Sequence, residues 1–428
     1  MYTLYGDGIH DDTAAIQELI DNAGGTLELP EPENFYLISK TLILPSGFKL
    51  SLPRNATIRL ADGSNCFMAM NKTVYKPEHR TNPEIYARRA NLGEEGKKRI
   101  RAYTFFVNDY SPDPEDATRD VEISGGIWDF NNMGQNPNPQ ASGVYEPYGF
   151  VGYGMLFYNV DGLKLNNLTL KDPINFAVTL DRVCHFDVRD IVFDFNLGNP
   201  IPLNMDGIHV NGHCHYGVIE NLSGTTYDDL VALNADEGSF GPITDIKIRG
   251  LKAENCHSAV RLLTVKNVVE NIEISDVYGS YYQYCIGLTH FYPGETEGYF
   301  GNISIRGVNA SKADREPIRK LVNTCKPTWG TGFVYPFIWV QKKSYVKNLE
   351  VKNVYRCEKT INTETVVVDE GATVENMTLE NIKAENHTGA PLALIRNDGV
   401  IKSLSAAGLC AGEDEILIGK GTIEQGAL

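Results

Sequence analysis

One short pattern recurs along this chain and limits what it can fold into. An apolar-x-apolar-x-x-apolar frame, often with Asn or Gly just before its last apolar residue, returns at Leu163-Leu165-Leu168, Phe186-Val188-Ile191, Ile246-Ile248-Leu251, Ile272-Ile274-Val277, Ile303-Ile305-Val308, Leu349-Val351-Val354 and Met377-Leu379-Ile382. A degenerate copy, Gly217-Ile219-Leu222, fills the gap between the second and third. First positions are separated by 23, 31, 29, 26, 31, 46 and 28 residues. A repeat this short, interrupted by insertions, describes a solenoid rather than a string of globular domains. Inside each unit, β-branched residues alternate with period two between Gly, Asn and Asp, and no helical periodicity intervenes, so the units are strands and turns. Leucine-rich repeats would need a tighter period and a regular Leu-x-x-Leu-x-Leu-x-x-Asn frame, which is absent. The sequence therefore predicts an all-β, single-stranded, right-handed parallel β-helix spanning residues 1–428 as one domain.

The open end of such a solenoid exposes apolar core and unpaired strand edges, which need a cover. Residues 11–22 suit that role. Asp11-Asp12-Thr13 offers N-cap oxygens, and Ala14, Ala15, Ile16, Leu19 and Ile20 form an apolar stripe that ends near Gly24-Gly25, as in an amphipathic helix. Two regions break the rhythm: about 70–117, with Lys97-Lys98-Arg99 and Arg101, and about 309–345, with Trp329, Tyr335, Phe337 and Trp339. Both read as long excursions beside the solenoid, suited to walling a cleft or to packing and subunit contact.

Charge narrows the partners. The chain carries 39 Lys+Arg against 55 Asp+Glu, a formal net charge of −16, which repels phosphate backbones and anionic membranes and favours a carbohydrate or small-molecule partner. No apolar stretch approaches the roughly 18 residues of a membrane span. The opening Met-Tyr-Thr-Leu-Tyr-Gly-Asp-Gly is no secretory leader, so the expectation is a cytoplasmic protein, or a secreted one if the chain has been trimmed. The eight cysteines stand singly, without a Cys-x-x-Cys pair, and read as reduced thiols.

Three further segments point to a family. Gly6-Asp7-Gly8-Ile9-His10-Asp11-Asp12-Thr13-Ala14-Ala15-Ile16-Gln17 resembles the opening signature of the pectin-lyase-like right-handed parallel β-helix superfamily. Ile123-Ser124-Gly125-Gly126-Ile127-Trp128-Asp129 resembles the Gly-Gly-x-Ile-Asp strand of polygalacturonases, and Asn204-Met205-Asp206-Gly207-Ile208 followed by Asp228-Asp229 resembles the catalytic core of family 28 glycoside hydrolases. The resemblance implies hydrolysis of a glycosidic bond with inversion, with Asp228 as general acid and Asp206 with Asp229 activating water. Arg261 resembles the Arg of the family's Arg-Ile-Lys motif. Leu263 stands where the Lys that serves the substrate carboxylate would be, the Gly-His-Gly motif is missing, and His257 is an approximate substitute. These departures bear on galacturonate specificity more than on hydrolysis.

The residues support the same division of roles. Aligning Asp206–Val210, Asp229–Leu233 and Ser258–Leu262 puts Ile208, Val231 and Val260 in one core column, Asp206 and Asp229 in one file, and His209, Ala232 and Arg261 in one outward column. Adjacent strands lie roughly 4.8 Å apart, so stacked carboxylates repel and share a proton or a water. Such a group supplies both an acid and a base, and inversion wants them roughly 6.5–9.5 Å apart. Strict alternation points Asp206 inward with Ile208, unless the chain bends at Gly207.

His209, His213 and His215 with Cys214 lie on a strand and turn rather than one helix face, so no metal or other cofactor is expected, and His209 reads as a cleft wall. Asp236 and Glu237 read as further substrate contacts or a solvated loop. Tyr281-Tyr282-Gln283-Tyr284 and His290-Phe291-Tyr292, one coil past Arg261, offer aromatic faces to sugar rings, with Tyr282, Tyr284 and His290 as the expected contacts. The combined expectation is a glycoside hydrolase acting on a plant-type polysaccharide or oligosaccharide, with its oligomeric state left open. A lyase or uronate epimerase with Arg261 as base, or a non-catalytic glycan-binding β-helix, are the alternatives. Because Arg261 is the main cleft cation, with Lys266 or Arg182 as further candidates, the acidic balance favours a neutral or mixed sugar, or a short oligomer.

Overall fold

The residue ahead of the last apolar position of each repeat is a corner. In the computed structural model, which describes residues 2–73, 117–135, 154–195, 204–291, 296–313 and 335–426, Asn167, Asp190, Asn221, Gly250, Asp276, Gly307, Asn353 and Asn381 all have φ between 54° and 71°. This left-handed region costs most L-residues roughly 1–2 kcal/mol, and Gly, Asn and Asp enter it most readily. Strand pairing continues around such corners, and long bent strands such as Ile243–Leu263 and Val268–Thr289 pass through them.

Parallel register then stacks like on like. Phe186, Gly217, Ile246, Ile272, Ile303, Leu349, Met377 and Leu404 form one column through successive parallel pairings. Gly217, the misfit of the repeat, has a steric cause: a Cβ there would meet the Phe186 ring at 2.0 Å. The large ring fills the space of two side chains. One hydrophobic cluster runs from Ile16 to Ala411, and each buried Ile, Leu, Val or Phe in it contributes roughly 1.5–3 kcal/mol.

The N-terminal cover is the helix Thr13–Asn22. Ile16 and Ile20 enter the core, while Leu19, expected in the apolar stripe, is 39% exposed, and Ala14 also faces out. The buried face is the narrower one through Thr13, Ala15, Ile16 and Ile20. The capping acids divide their work. Asp11 Oδ1 accepts the Thr13 N–H at 2.8 Å, whereas Asp12 accepts the N–H groups of Tyr5 and Gly6 and ties down the segment before the helix. Gln17 both donates to the Ile43 carbonyl and accepts from its N–H, at 3.0 and 2.9 Å, occupying backbone groups on the edge of the strand Leu42–Leu44.

Only the margins of the two expected excursions fall among the described residues, and there the chain is in the solenoid. Ala69–Asn71 pairs with Leu42–Leu44, and Gly298–Lys312 and Ile338–Val340 pair within the solenoid. Ile338 extends the Ile286 core column, so Phe337 and Trp339 belong to a coil. The basic run at 97–101 and Trp329 lie outside the described residues. Among the described residues no helix is long and apolar enough to cross a membrane, and seven described cysteines are unpaired.

Candidate functional site

The apolar column Ile208, Val231, Val260, Ile286 and Ile338 fixes the register of the site. One residue on, Thr179, His209, Ala232, Arg261, Gly287 and Trp339 form the neighbouring column. Small Ala232 and Gly287 alternate there with large polar and aromatic side chains. Two residues before the core column, Asp229, Ser258 and Tyr284 are paired in register.

Asp206 precedes its strand, Ile208–Val210, so the strict alternation that would send it into the core does not apply. Its carbonyl accepts the Ala177 N–H at 3.0 Å, and the next N–H, of Gly207, donates to the Asp229 backbone carbonyl at 2.9 Å, which continues the stacking. Gly207 has no left-handed φ. It is required by close approach instead: a Cβ would lie 2.5 Å from the Leu230 carbonyl and 2.7 Å from the Phe193 ring.

The aspartates are buried, with exposures of 2% for Asp206, 5% for Asp228 and 0% for Asp229. Asp229 Oδ1 accepts from the Ser258 hydroxyl and, at 3.1 Å, from the Tyr284 hydroxyl, while Oδ2 lies 3.3 Å from Arg261. Asp228 Oδ1 lies 3.3 Å from His257 Nδ1. Asp206 Oδ2 lies 2.6 Å from His209 Nδ1. Burial, and next the charge of Asp228, push Asp206 well above the usual carboxylate range and raise Asp229 as well. Like charges this close in a poorly solvated setting cannot all ionise together, so the group holds protons that belong to the cluster. Burial and the nearby Asp229 push Tyr284 well above its usual value, so the phenol remains a neutral donor.

Arg261 is 9% exposed and lies between Asp229 and the Phe291 ring, 4.6 Å from its centroid. Behind it Tyr284, Phe291, Tyr335 and Trp339 form an aromatic wall, with Tyr335 and Trp339 stacked at 4.5 Å. Leu263, at the position of the family's Lys, packs with Val265 and Phe291.

The remaining expected contacts separate. Glu237 reaches His209 Nε2 at 3.1 Å. Its neighbour Asp236 turns the other way and accepts the N–H groups of Val265 and Lys266 at 2.6 and 3.0 Å and the Asn267 side chain, so it staples a turn instead of facing a sugar. His290 Nε2 is bound to the Thr296 carbonyl, and its N–H to Gln341. Tyr282 is buried two residues ahead of Tyr284 in the same strand, and Tyr292 lies outside the described residues. His209, Cys214 and His215 diverge: Cys214 sits in the core and His215 meets Thr244. Ser258 and Phe176, whose ring stacks on His209 at 3.6 Å, are site residues that sequence reasoning did not single out. Ser258 had a signal, since it is the register partner of Asp229; Phe176 had none.

Two sets of described side chains bring three ligand-type atoms within 4.8 Å of one another: Asp228, Asp229 and His257 in the cleft, and the partly exposed Cys357, Glu385 and His387. In the first set, Asp229 is already engaged by the Ser258 and Tyr284 hydroxyls and by Arg261. Glu385 is already bound to Lys383 and Tyr355, at 2.6 and 3.0 Å.

No protein-family model and no curated protein matches the sequence. Solved structures do. The family 28 exopolygalacturonase of Yersinia enterocolitica is similar at a TM-score of 0.57 and 12% identity, over 99% of this chain and 78% of that one. The hyperthermoactive exopolygalacturonase of Thermotoga maritima gives 0.52 and 14%, over 98% and 89%. A tailspike protein of an E. coli bacteriophage gives 0.56 and 14%, over 93% and 64%. At such identities the likeness is one of fold, the right-handed parallel β-helix.

Proposed function

We propose that this protein is a glycoside hydrolase that cleaves an O-glycosidic bond of a plant-type, pectic or related oligosaccharide with inversion. Asp228 is the general acid: it gives its proton to the glycosidic oxygen as the bond to the anomeric carbon breaks. Asp206, with Asp229 beside it, takes a proton from the water that attacks the opposite face. The observation that carries this reading is the cluster of three buried carboxylates from adjacent coils, with His209 on Asp206, His257 on Asp228 and Arg261 on Asp229. Carboxylates buried this close together do not all ionise at once, so one can serve as acid while another, sustained by a neighbouring cation, serves as base. The exopolygalacturonases that share the fold support the substrate class. Arg261 is engaged by Asp229, and Leu263 is apolar, so a neutral or mixed sugar, taken from the end of a short chain, fits the cleft better than a continuous polyuronate.

A lyase or epimerase would need Arg261 as a base. Burial disfavours its charged form, but the carboxylates Asp229, Asp228 and Glu237 outweigh that and raise it above its ordinary value, which opposes proton abstraction. The test is digestion of a panel of pectic and neutral oligosaccharides, following reducing ends and the ultraviolet absorbance of unsaturated uronate, with Asp228→Asn alongside. New reducing ends without absorbance, lost in the variant, are expected. Unsaturated product would overturn hydrolysis, and undiminished turnover in the variant would overturn Asp228 as the acid.

A further inference from the structure

Glu237 is separated from Asp206 by the His209 ring, and the ring is the connection between them. His209 is 1% exposed. Nδ1 lies 2.6 Å from Asp206 Oδ2, and Nε2 lies 3.1 Å from both Glu237 Oε2 and Asn211 Oδ1. Asn211 has its amide orientation fixed from the far side, because its Nδ2 donates to Asp181 at 3.0 Å. It therefore presents oxygen to the imidazole. With Asp206 ionised, both ring nitrogens face acceptors, and only the doubly protonated imidazolium can donate to both. Phe176 stacks on the ring at 3.6 Å with an interplanar angle of 7°, which keeps it from tilting away. Glu237 is itself seated by Asn234 Nδ2, at 2.9 Å.

We propose that Glu237 is a positioning residue that holds His209 as an imidazolium and, through it, favours the ionised form of Asp206 that acts as the base. This rests on the reading of Asp206 as the group that activates water. The electrostatics agree. Burial would strip the proton from His209, but hydrogen bonds and charge from Asp206 and Glu237 outweigh it and carry the ring to about 9. Burial raises Glu237, yet the His209 hydrogen bond and charge, with Arg261 beyond, bring it down to about 2. For Asp206, burial, Asp228 and Asp229 favour the protonated form and leave it raised, and the His209 hydrogen bond and charge are what oppose them. The other groups facing the ring are Thr179 and Ala232 on the adjacent strands, Arg261 one strand further along the column, and Asp181 through Asn211. Asp206 and Glu237 are the acids in direct contact with its nitrogens.

The experiment uses the full chain with isotope-labelled histidine, the His209 signal being identified by its loss in His209→Gln. Glu237→Gln keeps shape and hydrogen bonding but removes the charge. It is expected to lower the His209 titration by at least about one pH unit, a tenfold change in the protonation equilibrium. The acidic limb of kcat/KM against pH is expected to move up by a similar amount, with activity recovering at higher pH and Glu237→Asp restoring part of the shift. An unmoved ring titration overturns the proposal, and so does a loss of kcat/KM by one factor at every pH. If Glu237→Gln does not fold, Asn234→Ala, which unseats Glu237, is read by the same ring titration with the same two outcomes. Wild-type protein that cleaves no glycosidic bond would defeat the hydrolase reading, while the ring titration would still decide the role of Glu237.

Discussion

Tyr284→Phe tests the network around Asp229. The hydroxyl is 3.1 Å from Asp229 Oδ1, and the ring packs with its centroid 6.1 Å from that of Trp339 and 6.2 Å from that of Tyr335, contacts that Phe keeps. The substitution therefore removes one donor and little else. A hydrogen bond is worth about 1.5–3 kcal/mol to an ionised acceptor and about 0.5–1.5 kcal/mol to a neutral one. The difference, about 1–1.5 kcal/mol, corresponds to about one further unit on an Asp229 pKa already raised by burial and Asp228. A carboxyl whose folded pKa lies above its unfolded value of about 3.9 binds more protons folded than unfolded, so its contribution to stability falls as pH rises through that window. Losing the Tyr284 donor extends the fall to higher pH. The variant should lose about 1 kcal/mol near pH 4 and about 2–3 kcal/mol near pH 8, where Ser258 and Arg261 alone remain on the charged oxygens. Urea denaturation at both pH values measures this. A penalty that is equal at the two, or larger at pH 4, would refute the reasoning.

Gly217→Ala places a methyl group 2.0 Å from the Phe186 ring and should cost about 1–3 kcal/mol by overpacking. Phe186→Leu in the same chain should remove most of that penalty, and equal penalties in both backgrounds would dismiss the steric account. Asp181, fully buried and pushed up by burial to about 6, accepts from Ser239 and Asn211. Asp181→Asn retains an acceptor, and by the same sign argument should stabilise by up to about 2–3 kcal/mol above pH 7 and not near pH 4; denaturation that shows no gain at either pH contradicts it. In the proposed hydrolysis, neutral oligosaccharides should show a KM indifferent to salt, whereas uronate-containing ones should bind better as salt screens the acidic cleft; the reverse trend would mean a free cation serves the substrate.

The repeat was legible in the sequence because two local rules coincide in it: period-two alternation for the core, and a left-handed corner that admits Asn, Asp and Gly. The register of Ile208, Val231 and Val260 followed from the first rule and carried His209 and Arg261 into one column with it. Side-chain direction outside the strands did not follow. Asp206 escapes the inward parity because the strand starts two residues later. Adjacent Asp236 and Glu237 serve opposite sides of one turn, a difference that composition does not record. Tyr284 was named for its aromatic face, but its hydroxyl reaches Asp229 across Ser258 past a register shift between Cys256 and Ser258. Hydrogen bonds that cross a bulge depend on geometry that no residue spacing encodes.

The pairing of charges in the cleft bears on the charge of the substrate. Within the cleft, Asp206, Asp228, Asp229 and Glu237 face Arg261, His209 and His257, and Arg261 and His209 are each bound to an acid. A uronate carboxylate entering at about 6 Å from Asp206 would interact with it by roughly 3 kcal/mol at an effective dielectric of about 20, or about two pKa units. That penalty falls on the ionised form of the proposed base, which burial and Asp228 already disfavour and which His209 sustains. The polyanion would thus weaken the residue meant to activate water, unless a further cation came with it. A neutral ring excludes water without adding charge, and the aromatic wall of Tyr284, Tyr335 and Trp339 gives its apolar face a partner. The preference for an uncharged sugar in the reacting position follows from the protonation of the carboxylates as much as from the missing Lys at Leu263.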